Sequence, residues 1–122
     1  MTSTNNITAD ALSQQGMELL AVGAAAQAAQ AFRAAVARDP AHVEAHHGLV
    51  RALRDAGRLE QAIGAALALT ALTPGDPLAH TALSISLQSA GHIAEAEAAA
   101  ARARILEWKL QLQTPAAGEP SR

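Results

Sequence analysis

Five histidines are the residues of this 122-residue chain whose chemistry first suggests a site. His42 and His46 are four residues apart, which would place both imidazoles on one face of a helix. Such a pair can bind zinc if Glu44 or His80 completes the ligand set. The chain has no cysteine, and two histidines at this spacing are a weak signal. The sequence therefore predicts no metal or cofactor, and a histidine-based metal-binding or regulatory module is kept as an alternative.

A second group of residues is cationic. His47, Arg51 and Arg54 follow i, i+4, i+7 spacing and would share one helical face. Two guanidinium groups can clamp a carboxylate, because their planar forks match its geometry. Glu44 and Asp55 lie in the same segment, so a charged face that is balanced locally and exposed to water is the competing interpretation.

Motifs for catalysis are missing from the sequence. It contains no Gly-x-Ser-x-Gly, no phosphate-binding glycine loop and no His-Glu-x-x-His. Ser84 and Ser86 fall within a predicted helix, where they save space or bond back to the backbone. The sequence therefore predicts that the protein is not an enzyme.

Charge and composition restrict the classes of partner. The formal net charge is -2 and only Phe32 and Trp108 are aromatic, which argues against nucleic-acid binding. No apolar run approaches the length of a membrane helix. Residues 1–6 lack the basic and apolar regions of a signal peptide, so a cytoplasmic location is the expectation.

Three kinds of residue recur along the chain at a spacing of 34. They are glycines (Gly23, Gly57, Gly91), alanines (Ala28, Ala62, Ala96) and prolines (Pro40, Pro74). Residues 56–62 and 90–96 are also similar to each other. A fixed period of this length, in an alanine-rich chain, is typical of stacked helical repeats.

On this period and these positions the chain resembles the tetratricopeptide repeat family. The first unit matches the family's small, aromatic and proline positions with Gly16, Ala28, Phe32, Ala35 and Pro40. The family's usual large aromatics are replaced by Leu12, His46 and His80 at one position and by Leu19, Leu53 and Leu87 at another. The resemblance implies an all-α fold, a right-handed superhelical array of three helix-turn-helix repeats at about 9–42, 43–76 and 77–110.

The pattern of breakers and caps predicts how the chain is divided. Helices are expected at about 9–21, 24–38, 41–55, 59–72, 77–89 and from 93 to about 113, within a single domain over residues 9–114. Thr8 is the predicted cap of the first helix, and Asp76 with Pro77 begins the fifth. Residues 1–8 are predicted to be disordered and residues 115–122 to form a flexible tail.

The resemblance also implies a binding surface, a concave groove formed by the first helix of each unit. The predicted partner-binding residues there are Met17, Leu20, Glu44, His47, Arg51, Arg54, Leu78, Ile85 and Gln88. One subclass of the family holds chaperone C-terminal carboxylates with Lys, Asn and Arg at positions that are Ser13, Met17, Gly48, Leu78 and Ala82 here. Binding of such tails is therefore not expected.

The end of the chain carries a further candidate surface. Trp108 stands 34 residues after Pro74, at the position where a proline stops the equivalent helix, so the last helix is expected to continue. Ile105, Trp108 and Leu112 would then form one apolar stripe. The stripe either folds along its own repeat and caps the array or binds a partner or a second copy.

These observations together predict a non-catalytic adaptor or scaffold. It would bind an unidentified protein or peptide through the concave groove, the C-terminal helix, or both. The first alternative is a homo-oligomeric scaffold built through the C-terminal helix, and the second is the histidine-based module. No nucleic-acid partner and no membrane insertion are expected.

Overall fold

A computed structural model describes residues 7–113, and the predictions for residues 1–6 and 114–122 lie outside this range. The described chain forms six α-helices and no strand. They are α1 (Ala9–Ala21), α2 (Ala25–Arg38), α3 (Val43–Asp55), α4 (Leu59–Leu72), α5 (Pro77–Ser89) and α6 (Ile93–Gln113). Each helix packs against the next, and the first helices of neighbouring units also touch, α1 with α3 and α3 with α5.

Polar caps fix where the helices begin. Thr8 Oγ1 accepts a hydrogen bond from the Ala11 N–H at 3.0 Å, and an Asp76 carboxylate oxygen accepts one from the Leu78 N–H at 2.9 Å. Both predicted caps are thus present. Residues 7 and 8 fall in the segment predicted to be disordered, yet Thr8 caps α1 and the Ile7 carbonyl accepts a 2.9 Å bond from Arg38 Nη1.

Two helices begin later than the repeat pattern predicts. α2 begins at Ala25 instead of residue 24, and α3 at Val43 instead of residue 41. The reason at α3 is local: His42 has extended backbone geometry, and its Nδ1 accepts a 3.1 Å hydrogen bond from the Ala45 N–H. A histidine that the spacing placed inside the helix is therefore its cap.

The predicted glycines separate the two helices of each unit. Gly23, Gly57 and Gly91 have φ values of 80°, 78° and 87°, in the left-handed region that residues with a Cβ rarely adopt. Each follows the last turn of a first helix and reverses the chain into the second. The same reversal of the backbone direction therefore occurs once every 34 residues.

The core is thickest between the first and second units. Phe32 of α2 is completely buried, and its ring lies against Gly16 of α1 and Gly48 of α3. A Cβ built on Gly16 would come within 2.7 Å of Phe32 Cζ, and one on Gly48 would overlap the ring. The large aromatic therefore requires two glycines to make room for it.

At the equivalent place one repeat later, the core is filled by different side chains. Ala66 replaces Phe32, while Val50 and Ala82 replace the two glycines. Val50, Ala66 and Leu69 are fully buried in one cluster, with Ala82 packed against it. The third cluster contains only Leu87, Ala96 and Ala99 as buried members, so the core thins toward the C-terminus.

Candidate peptide-binding groove

The first helices α1, α3 and α5 present the side chains that the sequence assigned to a groove. Met17 of α1 and Leu78 of α5 are 54% and 65% exposed, and Ile85 of α5 is also exposed. Glu44, Arg51 and Gln88 are exposed, whereas His47 and Arg54 are half-buried. Leu20 differs from the others because it packs against the first core cluster.

A depression of ≈ 580 Å³ lies between α1 and α3. Its walls include Asp10, Ser13 and Met17 from α1, with His42, Glu44 and His47 from the start of α3. The structure thus brings three predicted groove residues, Met17, Glu44 and His47, to one place. Leu78 and Gln88 instead line two smaller depressions between α5 and α6, so the predicted set is divided over different surfaces.

The depression is acidic. Asp10 Oδ1 lies 2.6 Å from His42 Nε2, and His42 Nδ1 accepts from the Ala45 N–H. An accepting Nδ1 carries no proton, so this network assigns the proton to Nε2, which donates to Asp10. His42 is thereby held through both ring nitrogens, one bonded to the backbone of α3 and the other to Asp10.

His47 adds no positive charge of its own at neutral pH. Burial lowers its pKa, the Asp76 carboxylate acts in the opposite direction, and His46 lowers the pKa further. Since the depression has no Lys or Arg among its lining residues, the carboxylates of Asp10 and Glu44 set the sign of its potential.

The guanidinium groups lie further along α3. Arg51 Nε is 3.7 Å from Asp55 Oδ2, a long contact between exposed groups four residues apart. Such a pair contributes little stability, so Arg51 can turn to a ligand at low cost. The local charge balance that the competing interpretation proposed is thus present but weak.

The histidines that suggested a metal site have other roles. His46 Nε2 donates to the Pro40 carbonyl at 2.8 Å, and His80 Nε2 donates to the Pro74 carbonyl at 2.9 Å. The two bonds occupy equivalent places in successive units and tie each inter-unit loop to the helix that follows it. Within residues 7–113, no group of three or more histidines, cysteines or carboxylates is placed to hold a metal ion.

The two serines that a nucleophile hypothesis would use are engaged in packing. Ser86 Oγ donates to the Ala82 carbonyl one turn earlier, at 2.9 Å. Ser84 Oγ donates to the Ala96 carbonyl at 2.8 Å and so joins α5 to α6. Both hydroxyl protons are thus given to backbone carbonyls.

The C-terminal helix has an exposed apolar surface. α6 has 21 residues, against 14 in α2 and α4, as the replacement of the proline by Trp108 predicts. Trp108 is 59% exposed, and Ile105 and Leu112 are exposed too, whereas Leu106 is buried. In the described chain α6 packs only on α5. The predicted stripe is therefore not covered by its own repeat.

Four lining residues of the depression were not among the predicted partner-binding residues: Asp10, Ser13, Gln14 and His42. The contact of Asp10 with His42 joins residues 32 apart. Because that separation is close to the repeat period of 34, it places both residues near the start of successive first helices. An alignment of the repeats could therefore have indicated that Asp10 and His42 lie close together.

Stacked helix pairs of this kind define a helical-repeat protein. The tetratricopeptide repeat model matches residues 19–85, more than half of the chain. The chain belongs to the tetratricopeptide repeat family. No curated protein matched it in sequence.

Solved structures share this fold. A crystal structure of MamA protein is 21% identical with a TM-score of 0.81, covering 95% of this chain and 63% of that one. The type III secretion translocator chaperone SycD of Yersinia enterocolitica, in a form described as an alternative dimer, is 20% identical with a TM-score of 0.76, covering 86% and 80%. A chain of a CopN–Scc3 complex is 18% identical with a TM-score of 0.74, and the match covers 87% of this chain and 69% of that one.

These similarities confirm the predicted all-α, right-handed superhelical array of three repeats. The chain spans about three-fifths of the MamA chains that it matches, between 59% and 63% in three of them. Among the described residues, none of the helices combines the length and apolar character needed to cross a bilayer.

Proposed function

We propose that this chain is a non-catalytic interaction module that binds a peptide or a protein segment in the groove along α1, α3 and α5. The observation that carries the proposal is the mixed character of this surface. Exposed Met17 and Ile85 lie on the outer helices and Arg51 on the middle one. Apolar side chains left in water beside fixed charges are typical of a surface that a partner covers.

Family membership supports the same function. A helical repeat array offers an extended concave surface. Residues on that surface can be substituted without disturbing the buried residues that hold the repeats together. Two of the structural neighbours are described as a secretion chaperone and as a two-protein complex. Here most of the buried apolar positions are alanine or leucine, whereas the exposed groove positions include charged Glu44 and Arg51 and apolar Met17 and Ile85.

A peptide-display selection against the purified chain tests the proposal. Sequences enriched by the wild type should bind with an affinity that falls as salt rises, because Arg51 and Arg54 contribute electrostatically. The Arg51→Glu, Arg54→Glu double variant should lose these sequences while keeping its helix content. The matched control is Arg58→Glu with Arg102→Glu, the same charge change on exposed residues outside the groove. Equal loss in both variants, or no enrichment by the wild type, would overturn the proposal.

A second candidate is self-association through α6. The exposed Trp108, with Ile105 and Leu112 beside it, favours this alternative, because tryptophan is a common anchor in protein interfaces. Sedimentation at several protein concentrations distinguishes the two functions. A module that binds only other proteins sediments as a monomer throughout, whereas a scaffold built through α6 becomes larger with concentration.

A further inference from the structure

The depression between α1 and α3 has a chemistry that specifies part of its ligand. Its charged walls are the carboxylates of Asp10 and Glu44, and its lining residues include no Lys or Arg. Met17 supplies an exposed apolar wall beside them. Acidic groups next to an apolar surface suit a lysine or arginine side chain, whose stem is apolar and whose head is cationic.

A serine hydroxyl adds a polar group to the same wall. Ser13 lines the depression and is only 6% exposed. Its hydroxyl oxygen can accept a hydrogen bond from a donor that enters the depression.

The opposite charge follows at a defined distance. Arg51 is seven residues after Glu44 on α3, which corresponds to about 10 Å along the helix axis. An extended peptide in the polyproline II conformation advances about 3.1 Å per residue with three residues per turn, so side chains three residues apart lie about 9 Å apart on the same side. The groove thus changes from acidic to basic over the length of three peptide residues.

We propose that the groove selects an extended peptide segment in which a lysine or arginine and an aspartate or glutamate are about three residues apart. The basic side chain enters the α1–α3 depression between Asp10 and Glu44, with its donors shared with the Ser13 hydroxyl. The acidic side chain pairs with Arg51 and Arg54. The inference rests on the proposed function and adds to it the charges of the partner and their spacing.

A set of labelled synthetic peptides tests this pattern by fluorescence anisotropy. In a constant background of Gly, Ser, Ala and Leu, the peptides carry Arg and Glu three residues apart in either order, the same pair six residues apart, Arg alone or Glu alone. The closely spaced pair, in one order or the other, should bind about tenfold more tightly than the pair six residues apart or either charge alone, because only the close spacing matches both charges.

Neutral isosteres identify the residues that carry the selectivity. The Asp10→Asn, Glu44→Gln double variant should weaken the preferred peptide about tenfold and leave the Glu-only peptide within about twofold. The amide oxygen introduced by Asp10→Asn can still accept a hydrogen bond from His42 Nε2, so the fold is retained, which thermal unfolding verifies. The matched control is Glu18→Gln with Glu97→Gln, two exposed carboxylates that do not line this depression.

The outcomes separate this inference from the function on which it rests. If the preferred peptide binds Asp10→Asn, Glu44→Gln as well as wild type but loses affinity for Arg51→Glu, Arg54→Glu, the groove binds peptides and the charge pattern is wrong. Binding without preference for order or spacing would also overturn the pattern. If none of the peptides binds and display enriches nothing, both the pattern and the proposed function are wrong.

Discussion

The two ends of the array use their aromatic residues in opposite ways. Phe32 of the first unit is completely buried against Gly16 and Gly48, in the largest core cluster of the structure. Trp108 of the last unit is 59% exposed on α6, beside a core with few buried members. The region around Phe32 therefore stabilises the array, whereas the region around Trp108 exposes apolar surface to solvent.

The difference follows from what covers each second helix. α2 packs on both α1 and α3, and α4 on both α3 and α5, whereas α6 in the described chain packs only on α5. A residue placed between three helices is removed from water on all sides, and one at the end of the stack is not. Changes at the two ends should consequently separate stability from association.

The largest effect is expected at Phe32. Phe32→Ala should lower the free energy of unfolding by about 3 kcal/mol or more, because it removes a fully buried ring from between two glycines that cannot fill the space. Leu106→Ala in α6 should cost less, about 2 kcal/mol, since fewer groups surround it. Denaturant unfolding measures both. A change at Phe32 within about 0.5 kcal/mol would show that the repeat alignment is wrong.

A smaller effect is expected from overfilling the same place. Gly48→Ala should destabilise by about 1–3 kcal/mol, because the added Cβ overlaps the Phe32 ring. The change should be better tolerated in a Phe32→Leu background, which creates room for the methyl group. If the two substitutions destabilise additively in a double-mutant cycle, the ring and Gly48 are not in contact.

At the opposite end the effect should be on association and not on folding. Trp108→Ala should change the free energy of unfolding of the monomer by less than about 1 kcal/mol, because the side chain is largely exposed. It should also reduce any concentration-dependent association seen by sedimentation. Tryptophan emission of the dilute wild type should be typical of a solvated indole. A strictly monomeric wild type with buried emission would exclude the self-association model.

The smallest effect concerns pH. The hydrogen bond that His92 Nε2 donates to Glu60 raises the pKa of His92, burial opposes this effect, and the charges of Glu60 and Glu95 raise the pKa further. This contribution to stability is fully present below the unfolded pKa of about 6.5 and is lost as pH rises through the raised folded value. His92→Gln should thus lower the unfolding midpoint more in mildly acidic solution than in alkaline solution. An equal decrease of the unfolding midpoint at both pH values would show that the positive charge of His92 does not contribute to stability.

His47 should give the opposite trend. Its pKa is lowered, chiefly by burial, so the unfolded chain takes up a proton that the folded chain does not. The protein therefore loses stability through this residue as pH falls below about 6.5, until the folded value is reached. His47→Gln should remove this loss, and its destabilisation relative to wild type should be smaller at acidic pH.

The sequence predicted the helix boundaries closely, whereas contacts between units could not be predicted from it. Glycines and prolines at a fixed period act locally, so Gly57, Gly91 and the stop before Pro74 located the helix ends to within two residues. The role of His42 depended on whether it lay inside α3 or before it, a difference of one residue that the spacing could not resolve. The pairing of Asp10 with His42, and the use of His46 and His80 as ties to proline carbonyls, depend on how two units pack.

The predicted partner-binding residues illustrate the same limit. Met17, Glu44 and His47 were assigned to the groove by position alone, and the structure brings them to one depression. Leu20 was assigned in the same way but packs against the core, because the face that a helix presents depends on its neighbours. Position in a repeat predicts the helix, whereas tertiary packing decides how much of each side chain is exposed.

The most direct test of the central claim is the affinity of a display-selected peptide for wild type and for Arg51→Glu, Arg54→Glu, measured across a range of salt concentrations. If the groove binds the partner, the wild-type affinity falls with salt, and the double variant binds at least about tenfold more weakly at low salt while remaining folded. Equal affinity in the two proteins, with the same salt dependence, would contradict the account and move the binding site to the C-terminal helix.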